Sequence, residues 1–377
     1  MKLEANWLSD PRSQALCAAL EAAGHSALFV GGCVRNSLLG APVSDLDMTT
    51  DALPEMVMNV AEKARYKVIP TGIAHGTVTV VVKGLPHEVT TFRRDLETDG
   101  RHAVVAFSAS VAEDAARRDF TMNALYADRQ GQVIDPLDGL PDLMARRVRF
   151  VGDAGARIRE DYLRILRFFR FHAWYGTAGL DPDGLAACAE NANDIRTLSR
   201  ERVGAEMKKL LSAPDPSGAV AAMAASGVLA ATLPGAAPGT LPVLVHFEDG
   251  TGDWLARLAA LGGQDPGMRL RLSRNEVTRL NLIREQCEGM MESGELAWRY
   301  GAETARAVVL LRAASLGGHP PEGWQGQVAR GASAEFPIRA ADLMPGLSGP
   351  ALGAALRDLE ARWIAADFRP TREELLR

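Results

Sequence analysis

The chain reads as an α/β head followed by an all-helical remainder. Three observations lead there. Up to about residue 142, short apolar runs alternate with Gly- and Asp-bearing turns, and strand and helix signals follow one another. Beyond that point strand signals nearly vanish and helical periodicity dominates. Finally, 47% of the 377 residues are hydrophobic, enough to furnish cores for two or three domains.

The elements follow in order. Residues 13–23 are apolar at helical spacing, and Gly24 can end that helix. Residues 27–30 form a short apolar strand running into Gly31-Gly32. A helical turn over 34–39 stops at Gly40. Residues 44–50 alternate, Leu46 and Met48 against Asp45 and Asp47, as a strand does. Pro54 suits a first helical position, and 55–65 continue that helix. Residues 66–70, 76–83 and 87–92 are β-rich, and Val133-Ile134 is a short strand before Asp135-Pro136. In the helical part, 160–175 and 199–211 are long amphipathic helices. Pro214 and Pro216 punctuate the next junction, and Gly/Pro loops break the later helices at 262–266 and 317–321. No internal repeat stands out.

Charge and cysteine content exclude several classes. The formal net charge is −5, so a nucleic-acid surface must be a local patch. Arginine outnumbers lysine 36 to 6, which a GC-rich genome explains, but its placement is informative. Residues 145–170 hold eight Arg against three acids, a local +5 suited to a solvated helix face or to phosphates. Cys17, Cys33, Cys188 and Cys287 are far apart with no C-x-x-C pair, so neither a disulfide scaffold nor a structural zinc site is expected. The first residues carry Glu4 and Asp10 and no apolar core of a signal peptide. No run approaches the roughly 18 apolar residues of a membrane span. A reduced, cytoplasmic protein with no membrane partner is expected.

Three constellations carry chemistry. Gly31-Gly32-Cys33-Val34-Arg35 places a Gly-Gly turn between strand and helix, where backbone N–H groups can approach phosphate oxygens and Arg35 can add charge. Asp45 and Asp47, at i and i+2 of a strand, share a face; paired carboxylates that close favour a cation, and an all-oxygen pair suits Mg²⁺ shared with substrate phosphates. Glu88 is the candidate third carboxylate, as readily a surface residue at a strand start. Next, Arg117-Arg118-Asp119-Phe120-Thr121-Met122-Asn123 offers arginines for a triphosphate and Asp119 and Asn123 for ribose hydroxyls, or simply a capped surface helix. Finally, Glu160-Asp161 with Arg164, Arg167 and Arg170 follows at threes along a helix. An Asp161–Arg164 pair is either a surface ion pair or a reader of cytosine and adenine, whose amine donors and ring acceptors match it while uracil and guanine present the reverse. At about 100° per residue, one face cannot hold all four, so Arg170 is free for a phosphate or a structural partner.

In this order the segments resemble the class II tRNA nucleotidyltransferase and poly(A) polymerase family, the CCA-adding enzymes. The family's G-G-x-V-R-D and D-x-D match Gly31 to Arg35, Asp45 and Asp47, with Asn36 replacing the Asp. Its R-R-D-x-x-x-N-A matches Arg117 to Asp119, Asn123 and Ala124, and its hinge matches Asp135 to Leu143. E-D-x-x-R-x-x-R matches Glu160, Asp161, Arg164 and Arg167, and the last motif matches Arg200, Glu201, Arg202, Val203 and Glu206. The motifs cover roughly 27–211, and the stretch from Gly349 to Trp363 is similar to the tail of some bacterial members.

The resemblance implies a polymerase-β-like nucleotidyltransferase head over 1–142, a base-recognising neck over 143–211, and a tRNA-binding body and tail over 212–377. It implies that Asp45 and Asp47 hold Mg²⁺, and that Gly31, Gly32, Arg35, Arg118, Asp119 and Asn123 serve the nucleotide. It further implies that Asp161 and Arg164 read its base, with Arg167 and Arg170 supporting them and 200–206 bracing the neck. Residues 91–116 are implied to be a mobile loop that helps switch from C to A, unshortened here and so favouring full CCA addition. The partners implied are tRNA, CTP and ATP. The alternatives are a poly(A) polymerase, a partial CC- or A-adding enzyme, or a non-catalytic RNA-binding module. His246-Phe247-Glu248-Asp249 is no H-D hydrolase signature, so no added phosphohydrolase domain is expected.

Overall fold

The computed structural model describes residues 1–99, 102–250, 252–344 and 346–377. The chain forms two compact units: Met1–Glu206 with Ala225–Thr232, and Met207–Ala224 with Leu233–Arg377.

The first unit opens with α1 (Pro11–Ala22), β1 (Leu28–Val30), α2 (Gly32–Leu38), β2 (Asp47–Thr50), α3 (Pro54–Lys63), β3 (Lys67–Gly72), β4 (Thr77–Val82) and β5 (Leu85–Thr91). Then come β6 (Arg93–Asp99), β7 (His102–Phe107), α4 (Val111–Ala116), β8 (Tyr126–Ala127), β9 (Val133–Ile134) and α5 (Leu140–Met144). The helices α6 (Ala154–Glu160), α7 (Leu163–Tyr175), α8 (Pro182–Glu190) and α11 (Val228–Thr232) belong to it as well; α9 (Arg200–Leu211) is shared between the units, and α10 (Ser217–Ala225) belongs to the second but for Ala225.

Seven strands form one sheet in the order β3-β4-β5-β2-β1-β8-β9. Among the described residues only β2 and β5 pair in parallel, with Asp47 beside Glu88 and Met48 beside Val89. The alternation of β4 is realised: Val78, Val80 and Val82 are buried while the residues between them are half-exposed. Leu28, Val30, Phe92, Ala115, Ala124 and Tyr126 form one core cluster. Phe120, Phe150, Phe168 and Phe171 form an aromatic seam between the head and α7, with Phe150 stacked on Phe168 at 5.4 Å and Phe120 5.0 Å from Phe171. Each such buried ring contributes about 1.5–3 kcal/mol by leaving water.

Two sequence expectations change here. Residues 91–116 are not a loop: β6 and β7 pair as an antiparallel ribbon, from Arg93 opposite Phe107 to Asp99 opposite His102, and α4 follows. Backbone pairing makes that ribbon, and a polar composition does not report it. Gly100 and Arg101 of this segment lie outside the described residues. Nor is 160–175 one helix. Asp161 adopts an extended conformation (φ −157°, ψ 105°) and its side chain accepts from the Leu163 N–H, ending α6 and restarting the chain as α7.

The second unit continues with α12 (Leu241–Phe247), α13 (Trp254–Leu261), α14 (Pro266–Arg269), α15 (Arg274–Glu288), α16 (Ser293–Tyr300) and α17 (Ala302–Leu316). α18 (Trp324–Ser333), α19 (Ala340–Leu343), α20 (Gly349–Ala365) and α21 (Arg372–Leu375) complete it. Arg257, 1% exposed, pairs with buried Glu248 at 2.8 Å and donates to the carbonyls of Leu211 and Pro214 at 2.6 and 3.2 Å. It thus caps the C-terminal end of α9 with charge of the favourable sign. A Cβ at Gly252 would overlap its guanidinium. Trp363 centres a tail cluster with Trp298, Phe336 and Phe368.

Cys17, Cys33 and Cys188 are buried free thiols and Cys287 is half-buried. Burial pushes Cys17 up to about 12 and Cys33 up to about 11. Among the described residues, no helix is long and apolar enough to cross a membrane.

Candidate active site

The site is built around the end of β1. Gly31 takes φ 72° and ψ −120°, a left-handed conformation that favours glycine, and α2 starts at Gly32. A Cβ on Gly31 would stand 3.6 Å from Arg118 Nη1, and one on Gly32 3.9 Å from Arg35 Nη2. Asn36 Oδ1 accepts from Arg35 Nη2 (2.8 Å), while its Nδ2 donates to the Pro42 carbonyl (2.7 Å). An ionised Asp could not make that second bond, because it has no donor.

Asp45 lies in the loop that Asn36 tethers, its carboxylate accepting from Ser44 Oγ at 2.9 Å. The strand expected over 44–50 begins only at Asp47, so strand alternation does not pair the two acids. They nevertheless line one cavity of about 650 Å³, together with Glu88, Thr79, Trp7 and Arg12. Both Asp side chains are open to solvent on this side. Desolvation by the surrounding protein raises the Asp47 carboxyl above its usual range; Arg118 opposes that and the Asp45 charge adds to it. Among the described residues no three His, Cys, Asp or Glu side chains converge as a closed metal cage. Asp45 and Asp47 instead offer oxygens on one side of an open cavity. That donor set suits a hard divalent cation that keeps water and substrate oxygens as its other ligands.

Behind the turn sits Asp114, a residue the sequence reading passed over. It is fully buried and accepts from Arg117 (Nη2, 2.6 Å), Arg118 (Nη2, 3.0 Å) and the Tyr126 hydroxyl (2.8 Å). Burial alone would raise its pKa, but the two arginines overcome burial and hold it below the usual range. Arg118 also donates to the Tyr126 hydroxyl at 3.0 Å, so its Nε and Nη2 are fixed while Nη1 faces the Gly31 turn. The available signal was spacing, since Asp114 precedes the two arginines by three and four residues.

Asp119 and Asn123 form an interior circuit. Asp119, 8% exposed, accepts from the Phe120 N–H and Asn123 Nδ2 on one oxygen, and from Arg167 on the other (Nε, 2.8 Å). Asn123 Oδ1 in turn accepts from Arg35, whose Nη2 also donates to the Tyr175 hydroxyl at 2.8 Å. Arg35 is 7% exposed and lies over the rings of Tyr175 (4.2 Å) and Phe171 (5.0 Å). Desolvation works against the Asp119 charge, but Arg167 and the hydrogen bonds win and hold its pKa at about 2. The structure therefore brings buried Arg35, Asp119 and Asn123 together with half-buried Arg167 as one bonded set.

The third constellation is paired differently from a simple helical stripe. Arg164 pairs with Glu160 and donates to the carbonyls of Arg157 (2.9 Å) and Arg117 (3.4 Å). Asp161 pairs with Arg202 at 2.6 Å. Arg170 donates to Glu206 and stacks on the Phe171 ring at 4.4 Å.

Residues 27–149 match the family model described as "Poly A polymerase head domain", and 179–239 that described as "Probable RNA and SrmB- binding site of polymerase A". The head is thus that of a template-independent nucleotide polymerase, a class the glycine turn and neighbouring carboxylates already suggest. The chain is 36% identical over 368 residues to a CCA-adding enzyme of Geobacillus stearothermophilus, covering 91% of this chain and 89% of that protein. It also resembles the crystal structure of the Bacillus stearothermophilus CCA-adding enzyme in complex with CTP (TM-score 0.72, 32% identity, 94% and 93% of the two chains). The Thermotoga maritima CCA-adding enzyme complexed with tRNA shares the fold at 18% identity (TM-score 0.72, 100% and 98% covered). The chain belongs to the CCA-adding enzyme family of tRNA nucleotidyltransferases.

Proposed function

We propose that the chain completes the 3′ end of tRNA by adding C, C and A from CTP and ATP, with no nucleic-acid template. The observation that carries this reading is the cavity shared by Asp45, Asp47 and Glu88. Its acid Asp47 feels the charge of Arg118, which in turn faces the Gly31 turn. Asp45 and Asp47 would hold Mg²⁺, which when bound would supply charge neutralisation at the triphosphate and a more acidic attacking hydroxyl. Glu88 adds a third carboxylate beside Asp47. Arg118, fixed by Asp114, presents Nη1 to the phosphates, and the Gly31-Gly32 turn lets their oxygens approach the backbone closely. The tRNA 3′ hydroxyl attacks the α-phosphorus in line, and pyrophosphate leaves. Asp161 accepts from the exocyclic amine of C or A while Arg164 donates to the neighbouring ring acceptor; U and G present the reverse polarity and offer neither group a base partner. The bonded set of Arg35, Asp119, Asn123 and Arg167 holds the turn and α7 in fixed geometry around the nucleotide. Free thiols at all four cysteines support a reduced, cytoplasmic setting.

Primer extension tests this. Three tRNA transcripts ending at the discriminator base, at C and at CC each receive Mg²⁺ and one of CTP, ATP, UTP or GTP. Stepwise addition that stops after CCA is the expected result. Long A tails would make the chain a poly(A) polymerase, a stop at CC a partial enzyme, and no addition an RNA-binding module.

A further inference from the structure

We infer that Arg202, on α9, is a positioning residue for base selection, acting through Asp161. The inference rests on the reading of Asp161 as the group that accepts from the base amine.

Asp161 and Arg164, the two groups expected to face the base, do not neutralise one another. Asp161 stands at the break between α6 and α7, where its Oδ1 accepts the Leu163 N–H at 3.1 Å. Its Oδ2 accepts Arg202 Nη2 at 2.6 Å. Arg164 is turned to Glu160 and to two backbone carbonyls. Each reader therefore has its own support. A carboxylate offers about four acceptor directions. Two are used, and 22% of the Asp161 side chain remains exposed, so it can still accept from a nucleobase. Without Arg202, the carboxylate keeps only its backbone tether and is free to rotate about it. It already feels the charge of Arg167, and Arg164 follows three residues on. A pair formed there would spend the donor and the acceptor on each other and erase the distinction between a C or A edge and a U or G edge. Arg202 thus contributes by keeping Asp161 away from Arg164 as well as by fixing its direction. An ordinary ion pair between helices would add under about 1 kcal/mol and leave base choice untouched.

The test compares full-length wild type with R202Q, R202K, D161A and D161A/R202Q. It reads kcat and KM for CTP and for UTP on a transcript ending at the discriminator base, with thermal melting as a folding control. R202Q should lower the CTP-over-UTP ratio of kcat/KM about tenfold, chiefly through a higher KM for CTP. R202K, which keeps the charge and loses the fork, should fall between wild type and R202Q, and it carries the test if R202Q melts early. In the D161A background, R202Q should leave the ratio where D161A alone put it. A ratio that D161A lowers and R202Q does not would make Arg202 a structural brace and overturn the inference. An R202Q effect that persists undiminished in D161A would overturn it too, by showing another route. A ratio unmoved by D161A itself would withdraw the base-reading role on which it stands.

Discussion

Asp45 and Asp47 are open acids, whereas the buried Asp114, Asp119 and Asp142 are each paired, so removal of the open pair should cost chemistry and not stability. Asp45→Ala or Asp47→Ala is expected to abolish nucleotide transfer while the melting temperature stays within the small range of surface substitutions. Normal turnover by either variant would remove them from the metal site. These acids, Glu88 and the glycine turn could be named as candidates from local sequence, yet the strand expected to pair Asp45 with Asp47 starts only at Asp47, and Glu88 lies in the middle of β5 and not at a strand start. Asp114 could not be named in that way. Any acid three or four residues before two arginines reads as an exposed pair, and only the fold reveals that this one is buried beneath Tyr126. Asn36 shows the opposite limit. Its amide replaces a charge, and the reason becomes visible only with the Pro42 carbonyl in place.

Helices and strands were legible where burial imposes a period, as in β4, and illegible where pairing or capping decides. The β6–β7 ribbon is held by backbone bonds, and the α6–α7 break by one aspartate side chain. The docking of α7 has a clear pH signature. Asp119 has a folded pKa of about 2, below the ordinary carboxylate range, so its contribution is complete above about pH 4 and is lost as pH falls through about 2. By linkage that contribution is about 2 kcal/mol. In urea titrations the stability gap between wild type and Asp119→Asn should therefore be largest near neutrality and shrink towards pH 2. A gap independent of pH would mean that Asp119 acts by packing alone.

Across the chain, two further expectations follow from charge. Arg257→Leu removes the buried cation that pairs with Glu248 and donates to the carbonyls at the end of α9. It should cost roughly 3–5 kcal/mol. Hydrogen exchange should locate the loss within 207–224 and 233–377, and a cost below about 1 kcal/mol would deny Arg257 that role. The net charge of −5 requires tRNA to be held by local arginine clusters and not by the overall field. The affinity should fall linearly on a log–log plot against salt, by about 0.9 per phosphate contact on duplex regions. A flat plot would show that the contacts are not to phosphate.

The circuit from Arg35 through Asn123 and Asp119 to Arg167 and Tyr175 also bears on how the enzyme matures during synthesis. Arg35 follows immediately on the glycine turn, yet its hydroxyl partner Tyr175 lies 140 residues further along. At about 5–20 residues per second, a ribosome needs roughly 7–28 s to cover that distance. Throughout that interval the Arg35 guanidinium lacks the two rings it lies over and the acceptor at the Tyr175 hydroxyl. The nascent head can build its sheet early, but its Gly31-Gly32 turn is not locked until α7 has emerged. A nascent chain stopped at residue 149 would display every carboxylate of the cavity and still lack a finished catalytic centre.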